Sequence, residues 1–228
     1  GRAITPALLC ELHRILLTGV RGEDKRPGEF RTRQVWIGRG ASIAEATFVP
    51  PAATFVVELI DDLCRFIRED RSLHPLLRIA VVHYQFETIH PFLDGNGRLG
   101  RAILLLQLVS EGVLTQPVIN PSLYLEARRS DYYAGLLDVS VRGAWERWAE
   151  FFVTGLAASA RDGVARLDLL RALRERYRNR VADVSQSPKS MVLVDHLFAT
   201  PAVTVRDVAD LLGVTYRAAR QQVDKMLA

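Results

Sequence analysis

The sequence predicts an all-α protein with one small β-hairpin near its start and a small helix-turn-helix module at its C-terminal end. Three observations carry this. Apolar residues recur at helical spacing over most of the chain. Alternation is confined to Phe30 to Ile37, with a second short strand candidate at Thr47-Phe48-Val49. Composition shifts to small polar residues plus proline over Ser185-Gln186-Ser187-Pro188-Lys189-Ser190, and the pattern beyond reads helix, helix, Gly-containing turn, helix.

The elements follow in order. Thr5-Pro6 is a helix start, with Thr5 as N-cap and Pro6 at the first helical position. Leu8, Leu9, Leu12, Ile15 and Leu16 then fall on one face. Residues 19–28 are rich in Gly and charge and read as a loop. Val35-Trp36-Ile37 and Thr47-Phe48-Val49 are predicted to pair as a hairpin, and Pro50-Pro51 blocks further pairing. Helices are predicted over 54–69, 76–87 and 98–110. The last is almost wholly apolar past Arg101, as for a helix buried on most sides. Residues 130–141 and 144–173 continue the helical pattern. The C-terminal helices are predicted at 191–199, 204–212 and 216–227, with Gly213-Val214-Thr215 as the turn.

Composition narrows the class. The 228 residues are 49% hydrophobic and 25% charged, an ordinary globular balance with enough apolar material for a core. No run is long enough to cross a membrane and no signal peptide opens the chain. Cys10 and Cys64 lack metal-type spacing and read as buried free thiols, so the expected location is the cytoplasm. The net charge of +4 is concentrated: residues 161–180 hold seven Arg (161, 166, 171, 174, 176, 178, 180) against Asp162, Asp168 and Glu175. That stretch is a solvated charged helix or an attraction for an acidic partner.

The chemistry concentrates in His90-Pro91-Phe92-Leu93-Asp94-Gly95-Asn96-Gly97-Arg98-Leu99-Gly100-Arg101. Two glycines with Asp and Asn cannot be a helix interior. The helix that follows presents unpaired N–H groups at its start, which with a Gly-rich loop make an anion site. Arg98 and Arg101 share one side of that helix, in the predicted first turn, where the macrodipole disfavours each cation by roughly 0.3–1 kcal/mol. A bound di- or triphosphate would reverse that penalty. Asp94 offers a hard oxygen to Mg²⁺, which one or two carboxylates and substrate phosphates usually hold. His90 can take a proton from an attacking hydroxyl. Pro91 sets the turn after His90, and Phe92 is expected to point into the core. A base, a metal carboxylate and a phosphate cradle are the parts needed to transfer a phosphorus group.

This segment resembles the signature of the Fic family, His-x-Phe-x-Asp/Glu-Gly-Asn-Gly-Arg-x-x-Arg, with every fixed position filled. His83 to Ile89, Gly28 to Val35, Val49-Pro50-Pro51 and Arg129 to Tyr133 are similar to the family as well. The resemblance spans about residues 5–160. It implies an all-helical Fic-type core whose hairpin, the flap, aligns a target protein. It also implies transfer of AMP from ATP to a Tyr, Thr or Ser hydroxyl, including automodification. By position, His90 is the general base and Asp94 the Mg²⁺ ligand. Gly95, Asn96 and Gly97 form the anion hole, and Arg98 and Arg101 take the outer phosphates. Leu99 and Gly100 belong to the same nucleotide-binding run. The flap maps to about residues 35–49, with Ile37, Gly38 and Arg39 nearest the nucleotide. Tyr132 matches a position near the base, and Ser140 falls near another. Doc-like kinases of the family have Lys where this chain has Gly97, so Gly97 favours AMP transfer; relatives that use other nucleotides or CDP-choline stay open.

The family's inhibitory pattern, Ser/Thr-x-x-x-Glu-Gly/Asn, does not occur: Thr18 is followed four later by Gly22, and Ser42 by Ala46. The inhibitory helix is expected upstream of Gly1, or else from a partner. The C-terminal part resembles the winged-helix module that some Fic proteins carry, so the expected organisation is a Fic catalytic domain over 1–160, a basic linker helix over 161–187 and a helix-turn-helix, winged-helix-like module over 188–228, cut short before its wing. Residues 216–227 carry Arg217, Arg220 and Lys225 against Asp224, a net of +2 and a thin footprint for DNA. Dimerisation, a homodimer included, or target docking is the expected role of the module. A nucleotide-sensing DNA-binding regulator is the rival reading, and the intact His90 and Asp94 count against it.

Overall fold

The computed structural model describes residues 3–38, 42–184 and 188–227. Ten α-helices form among them. They are α1 (Pro6–Leu17), α2 (Val56–Glu69), α3 (Pro75–Ile89), α4 (Asn96–Ser110), α5 (Pro121–Ala127), α6 (Arg129–Arg142), α7 (Trp145–Val184), α8 (Pro188–Ala199), α9 (Val205–Leu212) and α10 (Tyr216–Leu227). None of the described helices is long and apolar enough to cross a membrane. The chain divides into two compact units, Gly1–Arg161 and Asp162–Ala228, and α7 runs through the division.

The first unit is built around α3 and α4, the two helices that flank the His90 segment. Each is buried on two sides. Val82, Phe86 and Ile89 of α3, with Leu99 and Ile103 of α4, join Leu9, Val56, Ile60 and Leu63 in one core. Ile79, Ala80 and Tyr84 of α3, with Leu104 and Leu108 of α4, join Tyr132, Val139, Trp148 and Phe152 in another. A helix placed between two cores has little room for polar residues, which explains why the run past Arg101 is apolar but for the buried Gln107 and the final Ser110. Thr5 caps α1 as predicted, its hydroxyl oxygen accepting from the Leu8 amide at 3.2 Å.

Among the described residues the predicted hairpin is seen only as far as one bridge. No strand forms among the described residues; a single antiparallel bridge joins Ile37 to Phe48. Ile37 N–H donates to the Phe48 carbonyl at 2.9 Å, and the Ile37 carbonyl accepts from Thr47 and Phe48 at 2.8 and 3.1 Å. Pairing ends there for a physical reason. Pro50 and Pro51 have no N–H to extend the ladder, and the Pro50 carbonyl is taken by the Gln34 side chain at 2.8 Å. Arg39 lies outside the described residues. The sequence reading also missed α5, a short helix started by Pro121, and it divided the continuous α7 into a helix over 144–173 and a basic linker helix over 161–187. Cys64 is buried, and burial pushes its thiol up to about 11; Cys10 is only half-buried.

In the second unit α8, α9 and α10 enclose a small core of Leu193, Val208, Ala209 and Ala219. Thr204 and Asp207 cap α9 reciprocally, and Gly213 ends it in a left-handed conformation. Four of the seven arginines counted above have carboxylate partners: Arg166 with Asp162, Arg171 with Asp168, and Arg174 and Arg178 with Asp195. The excess charge on this stretch is therefore partly neutralised in place.

Candidate active site

The loop from His90 to Gly95 joins the C-terminus of α3 to the N-terminus of α4. His90 is the cap of α3 and adopts the left-handed conformation, φ 49°, ψ 61°. Its ring Nδ1 lies 3.3 Å from the Glu87 carbonyl. A carbonyl only accepts, so Nδ1 carries the proton and Nε2 keeps its lone pair. Burial holds the imidazolium form down to about pKa 4, and nearby Arg31 adds to the effect. At neutral pH His90 is therefore an uncharged base with Nε2 open.

Phe92 is fully buried and anchors the middle of the loop. It stacks on the His13 ring of α1 at 3.7 Å between centroids, and Phe30 packs beside it at 5.2 Å. Asn96 ties the loop to the helix. Its side-chain oxygen accepts from the Phe92 N–H at 2.9 Å, and its side-chain amide donates to the Phe92 carbonyl at 2.8 Å. The Asn96 side chain is thus turned inward, and only its backbone N–H faces the helix start.

Helix α4 begins at Asn96, two residues earlier than predicted, with Gly95 as N-cap at φ 80°, ψ 0°. The first helical hydrogen bond runs from Leu99 N–H to Gly95 O at 3.0 Å, so the amides of Asn96, Gly97 and Arg98 precede the ladder. The earlier start moves Arg101 into the second turn. Its guanidinium nevertheless comes back to the helix start: a Cβ on Gly97 would sit 3.2 Å from Arg101 Nη1. Arg98 Nη2 donates to the Arg21 carbonyl at 2.8 Å and lies 3.9 Å from Asp94 Oδ1. Asp94 Oδ1 accepts from the Gly95 N–H at 2.6 Å, and the carboxylate is partly exposed. Three free amides, two guanidinium groups and one carboxylate therefore surround the N-terminus of α4. No cluster of three or more His, Cys, Asp or Glu forms among the described residues. A single carboxylate beside an anion site suits a Mg²⁺ ion that arrives with phosphates, and the donor set fits that ion.

The remaining predicted residues lie elsewhere. Leu99 and Gly100 are buried where α4 meets α3. Tyr132 is buried in the second core, its hydroxyl 3.0 Å from His83 Nε2. Ser140 is exposed on α6, its Oγ 2.9 Å from the Tyr84 hydroxyl. Ile37 and Gly38 belong to the 35–49 segment, whose flanking residues Arg33 and Pro51 are joined to the His90 loop through Arg31.

Sequence reasoning missed Arg31 and His13. Arg31 is 2% exposed and serves carbonyls on three stretches of chain. Its side chain donates to His90 O at 2.8 Å, Ile89 O at 3.2 Å, Arg33 O at 3.3 Å and Pro51 O at 2.6 Å. It thereby caps the C-terminal carbonyls of α3. His13 is fully buried between the Gly28 amide and the Asp94 carbonyl. The available signal was a lone histidine on the apolar face of α1.

The Fic/DOC family model matches residues 3–108, which contain the whole site. Over those residues the chain is similar to the Fic/DOC family. Over 130 residues it is 33% identical to Protein adenylyltransferase fic-1 of Caenorhabditis elegans, a match covering 56% of this chain and 22% of that protein. Over 132 residues it is 35% identical to Protein adenylyltransferase Fic of Drosophila melanogaster, covering 57% and 24%. The matched part thus spans less than a quarter of those relatives. Among solved structures, a Fic family protein from Desulfovibrio desulfuricans G20 covers all of this chain, and 63% of its own length is matched, at TM-score 0.62 and 24% identity. Fic-1 from C. elegans covers 71% of this chain, with 43% of its own length matched, at TM-score 0.52 and 26% identity. The Fic/DOC match includes both His13 and Arg31, the residues that hold the loop from behind.

Proposed function

We propose that this chain transfers AMP from ATP to a hydroxyl side chain of a protein, itself included. The observation that carries this is one short loop holding a neutral base, His90, at one end and Asp94 with an anion-binding helix start at the other. His90 Nε2 takes the proton of the target hydroxyl. The freed oxygen forms a bond to the α-phosphorus, and the bond from that phosphorus to the bridging oxygen of the β-phosphate breaks. Pyrophosphate leaves, its charge met by the amides of Asn96, Gly97 and Arg98 and by the Arg98 and Arg101 guanidinium groups. Asp94 would hold Mg²⁺ together with the phosphates, and the ion would offset their negative charge. Gly97 supports AMP transfer over the kinase orientation: a Lys there would bring bulk and positive charge against Arg101 Nη1, which stands 3.2 Å from the Cβ position.

The target segment is proposed to dock on residues 35–49. Support comes from the antiparallel bridge between Ile37 and Phe48, which sets part of that stretch in the extended form that can accept a peptide strand. An inhibitory glutamate, from an upstream helix or a partner, would act by pairing with Arg101. The C-terminal helices are proposed as a helix-turn-helix, winged-helix-like module for dimerisation or target docking. Pairing of Arg220 with Asp224 thins the positive face of α10 that DNA would need. Two free thiols fit a reducing compartment, so the cytoplasm is the proposed setting.

The test uses ATP labelled at the α- or the γ-phosphate, with Mg²⁺ and a lysate. Label is expected to enter protein from the α position, and His90→Ala is expected to lower that transfer about 10²- to 10⁴-fold. Label entering only from the γ position would sink the proposal.

A further inference from the structure

We infer that His13 and Arg31 are positioning residues that grip the two ends of the active loop from the N-terminal segment of the chain. The inference rests on the roles given above to His90 and Asp94.

The two grips are alike in form. At one end, Arg31 donates through Nε to the carbonyl of His90 at 2.8 Å, and its backbone N–H donates to the carbonyl of Pro91 at 2.8 Å. At the other end, His13 Nε2 lies 2.9 Å from the carbonyl of Asp94. The residue meant to take the proton and the residue meant to meet the metal are therefore each held by the backbone oxygen, so the grip itself occupies neither side chain.

The tautomer of His13 follows from its partners. The Gly28 N–H can only donate, and it points at Nδ1 from 2.9 Å. Nδ1 is therefore bare, and Nε2 carries the proton that goes to Asp94 O. The Asp94 carbonyl and the Gly95 N–H belong to one planar peptide unit. Its oxygen is held by His13, and its N–H holds the Asp94 carboxylate at 2.6 Å. Fixing the oxygen fixes the direction of the N–H, and with it the carboxylate. Stacking of the His13 ring on Phe92 removes the remaining freedom of the ring.

At the His90 end the hold opposes strain. A residue with a Cβ enters the left-handed region against steric resistance, and His90 is there without being glycine. The Arg31 guanidinium reaches Ile89, His90, Arg33 and Pro51 at once. A lysine has one point of donation and cannot span them.

The experiment uses the full chain and three variants, His13→Leu, His13→Gln and Arg31→Lys. Binding of a non-hydrolysable fluorescent ATP analogue is titrated with Mg²⁺, and kcat and KM for label transfer are measured separately. His13→Leu is expected to raise the Mg²⁺ needed for half-maximal binding by about 10- to 100-fold. His13→Gln, which keeps a donor and an acceptor, is expected to restore most of it. Arg31→Lys is expected to lower kcat by about 10²-fold with KM for ATP near the parent value. A folded His13→Leu with the parent's Mg²⁺ requirement, or Arg31→Lys with the parent's kcat, overturns the inference. So does His13→Gln falling as far as His13→Leu. Should His13→Leu not fold, the ¹⁵N spectrum of the parent decides: a bare Nδ1 with protonated Nε2 is expected, and the opposite tautomer overturns it. Failure of the parent to transfer α-label defeats the reading of function but leaves the Mg²⁺ titration able to test His13.

Discussion

His90 and Glu87 stand one turn apart on α3, and burial drives both toward the neutral form. For the His90 imidazole that means a pKa near 4, and for the Glu87 carboxyl one near 7. The two have opposite consequences for acid and base. A base that stays neutral down to pH 4 gives transfer that does not fall as pH drops from 8 to 5, which a pH–rate profile at saturating ATP checks. His83, also held near 4, and His90 bind protons in the unfolded chain below about 6.5 but not in the fold, so their contribution to stability is lost between about 6.5 and 4. Glu87 works the other way: its folded pKa is raised, so its contribution is complete below about 4.5 and is lost as pH rises through 7. Its Oε1 has no hydrogen-bond partner. Glu87→Gln is therefore expected to stabilise the chain at pH 8 relative to the parent, with the gain vanishing below about pH 4.5. Thermal melts of both proteins at pH 4.5, 6 and 8 check this, and an equal shift at all three would contradict it.

At the level of elements, the start of α4 decides the site. Gly95 adopts φ 80°, and a Cβ there would meet Leu17 Cδ2 at 3.1 Å and His13 Nε2 at 3.2 Å. Gly95→Ala therefore combines backbone strain with a clash and is expected to cost about 1–3 kcal/mol. Asn96 holds the same turn through two hydrogen bonds to the backbone of buried Phe92. Asn96→Ala leaves that N–H and carbonyl without partners, at about 1–3 kcal/mol for each group stranded. Denaturant unfolding gives both numbers. A loss under about 0.5 kcal/mol in either variant would mean that the turn rebuilds around the change. This start was partly legible in advance. The glycines, Asp94 and the apolar run after Arg101 marked a loop opening a buried helix. The two-residue error in the boundary came from counting Asn96 and Gly97 as loop on propensity, whereas the Asn96 side chain closes the turn and lets the helix begin there.

At the scale of the molecule, the two compact units have separate hydrophobic cores, two in residues 1–161 and one in 162–228. Val208 is almost fully buried in the C-terminal core. Val208→Ala is expected to destabilise that unit by about 1–3 kcal/mol and to leave ATP affinity unchanged. Calorimetry and nucleotide binding on the same sample test this, and a parallel loss of affinity would mean that the units are coupled. The hairpin shows the opposite limit of legibility. Alternation and the Pro50-Pro51 stop were readable, but the number of paired residues was not. Ladder length depends on which backbone groups have other partners, and Gln34 and Arg31 claim the carbonyls of Pro50 and Pro51.

The sequence by itself determined the helical class, the cap of α1, the buried character of α4 and the place of the loop that opens it. These depend on spacing along the chain and on side-chain chemistry, and both can be read locally. Only the tertiary structure decided how that loop is held. His13 and Arg31 lie 81 and 59 residues from the groups they bind, Asp94 and His90. Neither contact has a sequence period, since one depends on packing that brings α1 against the start of α4 and the other on packing that brings the 28–33 segment against the end of α3. The neutral state of His90 was likewise decided by packing: a histidine in sequence titrates near 6.5, and burial beside Arg31 lowers it.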